Sequence, residues 1–541
     1  MGYTVHLPAT LTSWVTMFEK VKGVEDVVII GSGPAAVAAI VQFRYKNINP
    51  LVLDAGHVMP VSAVSIKDEM TATLNSRSNI EYPKDEEPYS VGMSPPTKKR
   101  FGSDYVLHQD NVIRLSQNGT DVGISLARGG MSNVWGASSM LFSPADMASW
   151  PVSRAEIYGQ LESLSRFMTF SQDHGFSTDS EFTPESTQHR QSNQIYERLM
   201  DETLVFGSTK VVSIPSCLAV DVQRAPSELC KKCSACLRGC PMDAIFSSEV
   251  PLLDMIANGL DYRPNSTVIQ LQESENGVMT TYIDQDGNRK HIQSRKVLVA
   301  CGPVSSTALV LTALPDTDCA YLDECQALTL PVLSLKRIRR NGHGTTLADL
   351  FVEILDKASK KSLAHFQCYS PSDEIKIAAI NSAKRFRLPS FVGNFISRRS
   401  LVAHGFVHPA ASSKICINIE RHDNHLKIHS RMISPNQTLD RRKIIWAFSR
   451  FLLRGRLFPL LPLVHWESVG RSYHLSGSFP MTHSKVPGNS SNTLGCPNTL
   501  KNIHILDATI LPNVPPQSPT ITVMCNSSRI AHTIAESMRI N

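Results

Sequence analysis

An uninterrupted apolar run near the N-terminus, followed at once by glycines, gives the clearest pattern in this sequence. Residues 27–30 read Val-Val-Ile-Ile, which is typical of a strand buried on both faces of a parallel sheet. Residues 34–46 are mostly Ala, Val, Ile and Phe with a basic end, which predicts a helix that begins at the glycine turn. Residues 51–53 predict a second strand, which ends on Asp54. Together these elements predict a compact βαβ unit.

The hydrophobic and polar patterns from residue 60 onward differ from that of the βαβ unit. Residues 60–123 are rich in Pro, Ser and charge and predict a surface loop. Residues 247–256 predict a helix, and residues 296–300 predict a further strand. Alternating residues at 415–419 and 426–428 predict antiparallel strands in a second, substrate-facing domain. The expected fold class is therefore α/β, with a Rossmann-like domain and a substrate domain built on an antiparallel sheet.

The same changes of pattern divide the chain into five predicted segments. Two of them, 1–165 and 216–312, form the dinucleotide-binding domain, and the second includes a cysteine loop at 230–241. The others are a connecting, substrate-side segment (166–215), the substrate domain (313–465) and a C-terminal segment (466–541).

Small and acidic residues of the βαβ unit suit a dinucleotide site. Gly31 allows the sharp turn, Gly33 lets a pyrophosphate approach the backbone, and Ala36 lets helix and strand pack closely. Asp54 follows Gly31 by 23 residues, close to the roughly 20-residue interval expected for a carboxylate that binds an adenosine ribose. A glycine turn in another kind of α/β sheet is the alternative, and the pattern does not separate FAD from NAD.

Composition narrows the class of protein. The 541 residues are 42% hydrophobic and carry a net charge of only +6, so we expect large cores and no nucleic-acid partner. The N-terminus has no basic and apolar signal-peptide pattern, which predicts a cytoplasmic protein. Three stretches, 336–340, 384–401 and 450–464, are both basic and apolar. They are either ordinary core with solvated charges, or a surface for anionic lipid or for an acidic substrate.

Four cysteines stand close together in the middle of the chain. Cys230, Cys233, Cys236 and Cys240 have the spacing C-x2-C-x2-C-x3-C-P, with which ferredoxin-like loops bind an iron–sulfur cluster. The spacing predicts a 4Fe-4S or 3Fe-4S cluster. A fold-stabilising loop without metal and a zinc site remain the alternatives.

Motifs at both ends of the chain together resemble one family. They are the glycine turn Gly-Ser-Gly-Pro-Ala-Ala, the Gly-Gly-Met-Ser loop with Trp135, and the C-terminal stretches 472–478, 502–512 and 518–524. In this order they resemble the glucose–methanol–choline oxidoreductases, which bind FAD.

The resemblance implies roles for individual positions. Gly31 and Gly33 would contact the pyrophosphate, and Asp54 would bind the adenosine ribose. The other implied FAD contacts are Gly129, Gly130 and Ser132 along the flavin, Val268 at the adenine, and Asp507 with Ala508 at the pyrophosphate or ribityl chain. His474 corresponds to the base of the family's H-x2-G-[TS] motif, and a histidine can titrate near neutral pH. Ser518 falls where the family usually has His or Asn, so most of the catalytic role falls on His474.

The implied reaction is oxidation of an alcohol by hydride transfer to FAD. The expected substrate is a small alcohol, a sugar, a sugar derivative or a polyol, and an iron–sulfur cluster would pass electrons to an acceptor protein or quinone. Two alternatives are a flavin-dependent reductase of C=C bonds fed by an iron–sulfur donor, and a non-catalytic relative that binds FAD. Substrate identity, acceptor and oligomeric state stay open at this point.

Overall fold

The structure is a computed structural model. It describes residues 23–75, 104–107, 110–169, 202–220, 240–337, 347–369, 389–434, 439–483 and 489–540, with isolated residues between these ranges. The N-terminal segment without a signal-peptide pattern lies outside the described residues, and so do the basic residues Arg339 and Arg340.

Strands β1 to β20 of the described residues follow in chain order. They are Val24–Ile30, Leu51–Leu53, Ile113–Asn118, Thr203–Phe206, Thr209–Pro215, Asp261–Arg263, Thr267–Ser274, Gly277–Ile283, Arg289–Val299, Cys319–Glu324, Ala327–Ser334, Leu350–Asp356, Ser362–Tyr369, Ser400–Val407, Lys414–Arg421, Leu426–Ile433, Leu457–Pro459, His465–Trp466, Leu475–Ser476 and Ile503–Ile505.

Helices α1 to α10 of the same residues vary widely in length. They are Pro34–Tyr45, Val61–Asn75, Pro144–Met147, Arg154–Tyr158, Leu161–Ser165, Glu249–Ala257, Pro303–Thr312, Ser390–Ser397, Arg441–Arg454 and Thr520–Ile540. Short 3-10 turns occur at Asp104–Leu107, Gly130–Asn133, Pro409–Ala411, Leu461–Leu463 and Ala508–Ile510.

The first sheet contains the predicted βαβ unit. Its order is β6-β2-β1-β9-β8-β7, and β20 also pairs with β9. The strands β2, β9 and β20 run parallel to their neighbours around β1, whereas β7 and β8 form an antiparallel extension. Val28 and Ile29 are fully buried, as expected for a strand covered on both faces. The sequence prediction of a Rossmann-like domain is confirmed.

An antiparallel sheet forms the second part of the fold. Its order is β17-β11-β14-β13-β12-β5-β4, with β18 also on β11. The helix α9 packs on it, and Phe366 stacks on Phe448 of that helix with 3.8 Å between ring centroids. The predicted substrate domain on an antiparallel sheet is confirmed as an architecture. A smaller sheet of order β19-β10-β15-β16-β3 contains the strands predicted at 415–419 and 426–428.

One sequence prediction was wrong. Residues 60–123 do not form only a loop, because they include α2 and β3. The α2 segment contains no Gly or Pro, and it buries Met70 against Cys233 with Ile66 and Leu74 beside them. This apolar stripe stabilises a helix that the surrounding Pro, Ser and charged residues conceal.

The long helix α10 ties the C-terminus to the first sheet. It packs against α1, and Gln42 of α1 donates a buried 2.7 Å hydrogen bond to Ser528. The Ser527 hydroxyl donates to the Ala35 carbonyl at 2.6 Å. In the described part of the chain, no helix has the length and apolar character needed to cross a membrane.

Candidate functional site

The first glycine turn is fixed by its close contact with a neighbouring strand. Gly31 has φ +99°, and a Cβ added there would lie 2.6 Å from the Ala300 carbonyl oxygen. Its N–H donates to the Leu53 carbonyl at 2.9 Å. Gly33 at the start of α1 has nothing within 4 Å of its Cβ position. The turn is therefore tight on its inner side and open at the helix N-terminus, where a phosphate is favoured.

A second glycine loop lies against the first. Gly129 and Gly130 have φ values of +82° and +59°, and a Cβ on Gly130 would lie 3.5 Å from the Gly33 Cα. The Gly129 N–H donates to the Ser32 hydroxyl at 3.0 Å. The Ser132 hydroxyl donates to the Gly129 carbonyl at 2.6 Å. We call residues 31–33 and 129–132 together the glycine cradle. The structure thus brings together two loops that lie about a hundred positions apart.

Asp54 closes one end of the glycine cradle. Its carboxylate accepts hydrogen bonds from the Ser32 hydroxyl and from the Tyr262 hydroxyl, the latter at 2.9 Å. Burial raises the pKa of Asp54 to about 6, although these hydrogen bonds oppose the shift. The Asp54 carbonyl accepts from the Ser266 N–H at 2.9 Å, which places the start of β7, and with it Val268, beside this end of the cradle.

An ion pair that sequence reasoning missed borders the same region. Arg128 and Glu249 approach to 2.7 Å, with side chains 23% and 25% exposed. Arg128 acts electrostatically on Asp54 and favours its ionised form. Glu249 begins α6, where a carboxylate is favoured by the helix dipole.

Asp507 has its carboxylate directed at a helix N-terminus. It accepts 2.9 Å and 2.5 Å hydrogen bonds from the Gly302 N–H and the Ser306 hydroxyl at the start of α7. The other oxygen accepts from the Thr509 N–H at 3.0 Å. Burial raises the pKa of Asp507. Its carboxylate is thus engaged within the protein, and its contact with a cofactor would be made by neighbouring backbone such as that of Ala508.

The region of His474 is tied to this C-terminal segment. His474 precedes β19, and the Gly477 N–H after that strand donates to the Ala508 carbonyl at 3.2 Å. The His474 ring stacks on Phe406, with centroids 4.0 Å apart. Its Nδ1 atom is buried and has no hydrogen-bond partner among the described residues. An imidazole nitrogen in this state is able to accept a proton from a bound molecule.

The electrostatic surroundings of His474 correct one expectation. Burial, reinforced by His365 and His404, lowers the pKa of His474 to about 3, while the Pro516 carbonyl acts in the opposite direction. Its residue type suggested that the imidazole would titrate near neutral pH, but in this buried state it does not. It is neutral at physiological pH.

Sequence reasoning missed a buried network beside His474. The Glu353 carboxylate accepts from His365 Nδ1 at 2.5 Å, from the Ser362 hydroxyl at 2.9 Å and from Gln517 Nε2 at 2.8 Å. In this arrangement His365 Nδ1 carries the hydrogen that it donates to Glu353. Glu353 and His365 are essentially inaccessible to solvent. We call Glu353, His365, His404, His474 and Gln517 the histidine cluster.

Ser518 lies next to this cluster in sequence, but its recorded hydrogen bond leads elsewhere. Its hydroxyl is 3.4 Å from the Thr520 hydroxyl. The preceding residue, Gln517, bonds Glu353, and its Oε1 atom is buried without a hydrogen-bond partner among the described residues. The catalytic role expected for Ser518 stays a prediction, and Gln517 presents a buried, unpartnered polar atom that sequence reasoning missed.

The four motif cysteines do not form a metal-binding group in the described part of the chain. Cys233 packs with Met70, whereas Cys236 lies in the main core and acts electrostatically on Tyr369. Cys240 is near Cys230, and burial raises its thiol pKa. Among the described residues, no group of three His, Cys, Asp or Glu side chains is close enough to bind a metal ion. The structure therefore does not support an iron–sulfur cluster, which stays a prediction from the spacing alone.

Comparisons with known proteins find likeness at the level of structure. No protein-family model matches the sequence, and no curated protein matches it. Among solved structures, the chain is similar to pyridoxine 4-oxidase from Mesorbium loti, with a TM-score of 0.58 and 14% sequence identity. The alignment covers 96% of this chain and 99% of that one. The chain therefore has the fold of that enzyme over nearly its whole length.

Proposed function

We propose that this protein is an FAD-dependent oxidoreductase of the glucose–methanol–choline type that oxidises the CH–OH group of a small alcohol. The observation that carries the proposal is the unpartnered, buried Nδ1 atom of His474, on a segment hydrogen-bonded to the Ala508 region. A neutral base beside a dinucleotide-type fold suits removal of a hydroxyl proton. The likeness to an enzyme named pyridoxine 4-oxidase supports the reaction class.

The residues present fit FAD as the cofactor. The open side of Gly33 and the close approach of Gly130 leave backbone, rather than side chains, facing the helix N-terminus, which suits a pyrophosphate. Asp54 has a carboxylate at the end of this cradle for a ribose hydroxyl. When bound, FAD supplies an acceptor for the hydride of the alcohol.

The chain's own residues would orient the alcohol and take its proton. His474 Nδ1, unpartnered among the described residues, would accept the hydroxyl proton. Burial and the neighbouring histidines hold the free ring neutral, although the same surroundings lower its basicity. Phe406 stacked on the ring holds its plane. Gln517 Oε1 is a further acceptor for a substrate hydroxyl, and Glu353 holds Gln517 through its amide. His365, fixed by Glu353, positions this set without contacting the substrate itself.

The buried acceptor atoms His474 Nδ1 and Gln517 Oε1 suit a substrate with more than one hydroxyl group. A site built to hydrogen-bond several hydroxyls discriminates strongly against analogues that lack them. We therefore propose a sugar, a sugar derivative or a polyol as the substrate class. No electron is routed through the cysteine motif in this proposal, and the acceptor is either oxygen or an external protein or quinone.

Anaerobic reduction of the bound flavin tests the proposal. Protein reconstituted with FAD is mixed with a panel of sugars, polyols and simple alcohols, and the flavin absorbance is followed. We expect one substrate class to bleach the flavin in the wild type, and we expect His474→Asn to bind FAD without bleaching. The absence of FAD binding, or bleaching only by a reduced iron–sulfur donor with a C=C substrate being consumed, would overturn it.

A further inference from the structure

Three stretches of the chain that are both basic and apolar meet at one end of the antiparallel sheet. In β11, Leu333 pairs with Ser400 of β14 on one side and with Phe458 of β17 on the other. The Ser334 N–H donates to the Arg399 carbonyl at 2.9 Å. The residues after β11, the helix α8 before β14, and the β17 region are therefore neighbours. We call residues 335–337, 389–399 and 453–463 the basic apolar face.

Large apolar side chains of this face are exposed to solvent. Phe391 and Phe395, one turn apart on α8, are 72% and 54% exposed, and Leu335 is 62% exposed. Further exposed members are Leu453, Phe458, Leu461 and Leu463. Ordinary core residues would be buried, so this grouping marks a surface that contacts something else.

Positive charge surrounds these apolar side chains. The basic apolar face contains six Lys or Arg residues and no Asp or Glu; they are Lys336, Arg337, Arg398, Arg399, Arg454 and Arg456. The Arg399 guanidinium lies 3.8 Å from the Phe395 ring centroid. Exposed Phe and Leu side chains suit acyl chains, while a rim of cations without acids suits phosphate and carboxylate headgroups.

We propose that the basic apolar face docks the protein on the surface of an anionic lipid bilayer. The three short segments would insert their Phe and Leu side chains into the headgroup boundary, and the Lys and Arg side chains would stay at headgroup level. This proposal does not depend on the redox chemistry.

Docking through the basic apolar face would bring the bilayer close to the histidine cluster. From Ser400 at the face, β14 continues to His404, whose ring is 3.2 Å from the Thr329 hydroxyl of β11. Four strand residues span about 13 Å. A bilayer at this end of the sheet would thus lie near the strands that hold the candidate site.

Vesicle flotation tests the proposal with the full chain. We compare neutral phosphatidylcholine vesicles with vesicles that also contain phosphatidylserine, at low and at high salt. The wild type is expected to float with the anionic vesicles and to be released by salt, because salt screens exposed charges. Phe391→Ser with Phe395→Ser is expected to weaken partitioning about tenfold or more. Lys336→Gln with Arg337→Gln is expected to weaken it roughly thirtyfold, about fivefold per charge.

Matched variants elsewhere serve as controls. Val205→Ser removes an apolar side chain that is 52% exposed on β4, at the opposite edge of the same sheet. Arg295→Gln removes a cation that is 54% exposed on the first sheet. Both are expected to bind anionic vesicles like the wild type, with unchanged circular dichroism in all variants.

Three results would overturn the proposal. One is the absence of binding to anionic vesicles. Another is an equal loss of binding in the control variants. The third is a dimer, seen by light scattering, that dissociates in the Phe391→Ser, Phe395→Ser variant while no vesicle binding occurs, since it would assign the face to a second copy of this chain.

Discussion

The glycine cradle and the histidine cluster are built in opposite ways. The cradle depends on backbone: Gly31 is held against Ala300, and Gly33 leaves space at the helix N-terminus. The histidine cluster depends on side chains, which come from β12, β13, β14 and the C-terminal segment. Among them, Glu353 bonds His365 and Gln517 out of contact with solvent. Substitution is therefore expected to affect shape and binding in the first region, and proton transfer in the second.

The two regions also differ in how their charges are balanced. Asp54 keeps partners that oppose the effect of burial, and its pKa rises only to about 6. His474 has an unpartnered Nδ1 atom and histidines beside it, and its pKa falls to about 3. The polar atoms of the proposed binding region are thus satisfied, whereas the proposed reacting region contains a buried nitrogen whose missing partner needs an explanation.

Gly31→Ala and Gly33→Ala form the sharpest test of the cradle, with the largest expected effect. The Gly31→Ala methyl group would meet the Ala300 carbonyl at 2.6 Å in a backbone with φ +99°. We expect loss of FAD binding and destabilisation by about 1–3 kcal/mol or more. Gly33→Ala meets no atom within 4 Å, so thermal unfolding of the apoprotein should be unchanged while FAD affinity falls. Wild-type FAD affinity in Gly33→Ala would contradict the pyrophosphate assignment.

His474→Asn tests the reacting nitrogen. We expect turnover to fall by about 10²–10⁴-fold while FAD stays bound, since a general base contributes on this scale. His504→Asn is the matched control, because His504 is also buried, with its pKa lowered to about 4 and its Nε2 atom without a partner among the described residues. It lies on β20 of the first sheet, where its Nδ1 atom contacts the Leu494 carbonyl. The turnover of this control variant per folded, FAD-loaded molecule should equal that of the wild type. Steady-state kinetics of the two variants separate a catalytic histidine from a structural one.

The sequence predicts the glycine cradle well and the histidine cluster poorly. The glycine turn and Asp54 lie within one short local pattern, and the parallel sheet places them as expected. The histidine cluster escapes a local pattern, because Gln517 and Glu353 are 164 positions apart in sequence. A signal existed: Glu353 is a carboxylate between Val352 and Ile354 in an apolar strand, and a buried charge requires partners. The C-terminal motif led to Ser518, one position from the residue that joins the network.

Glu353→Gln tests the positioning role of the carboxylate. The substitution replaces one of the acceptor oxygens facing His365, Ser362 and Gln517 by an amide that donates. We expect kcat to fall roughly 10–100-fold and KM to rise, because His365 and Gln517 reorient and Gln517 Oε1 is a proposed contact of a substrate hydroxyl. Ser362→Ala removes a single donor and should cost less than about threefold. Equal losses in both variants, matched by equal losses of thermal stability, would indicate a structural network only.

Asp54→Asn is expected to have the smallest effect, and one that depends on pH. Burial raises the pKa of Asp54 from 3.8 to about 6 in the folded apoprotein. As pH rises through this window, the unfolded chain releases the proton first, so the free energy of unfolding of the wild type falls, by up to about 2–3 kcal/mol, and levels off above pH 6. Asp54→Asn has no carboxyl group to titrate and lacks this decline. The difference in thermal midpoint, variant minus wild type, should therefore increase from pH 4 to pH 6. With saturating FAD the advantage should shrink, because the ionised carboxylate then accepts a hydrogen bond from the ribose. Parallel curves for the two apoproteins across this window would mean that Asp54 is already ionised in the fold, and that its bonds from Ser32 and Tyr262 outweigh its burial.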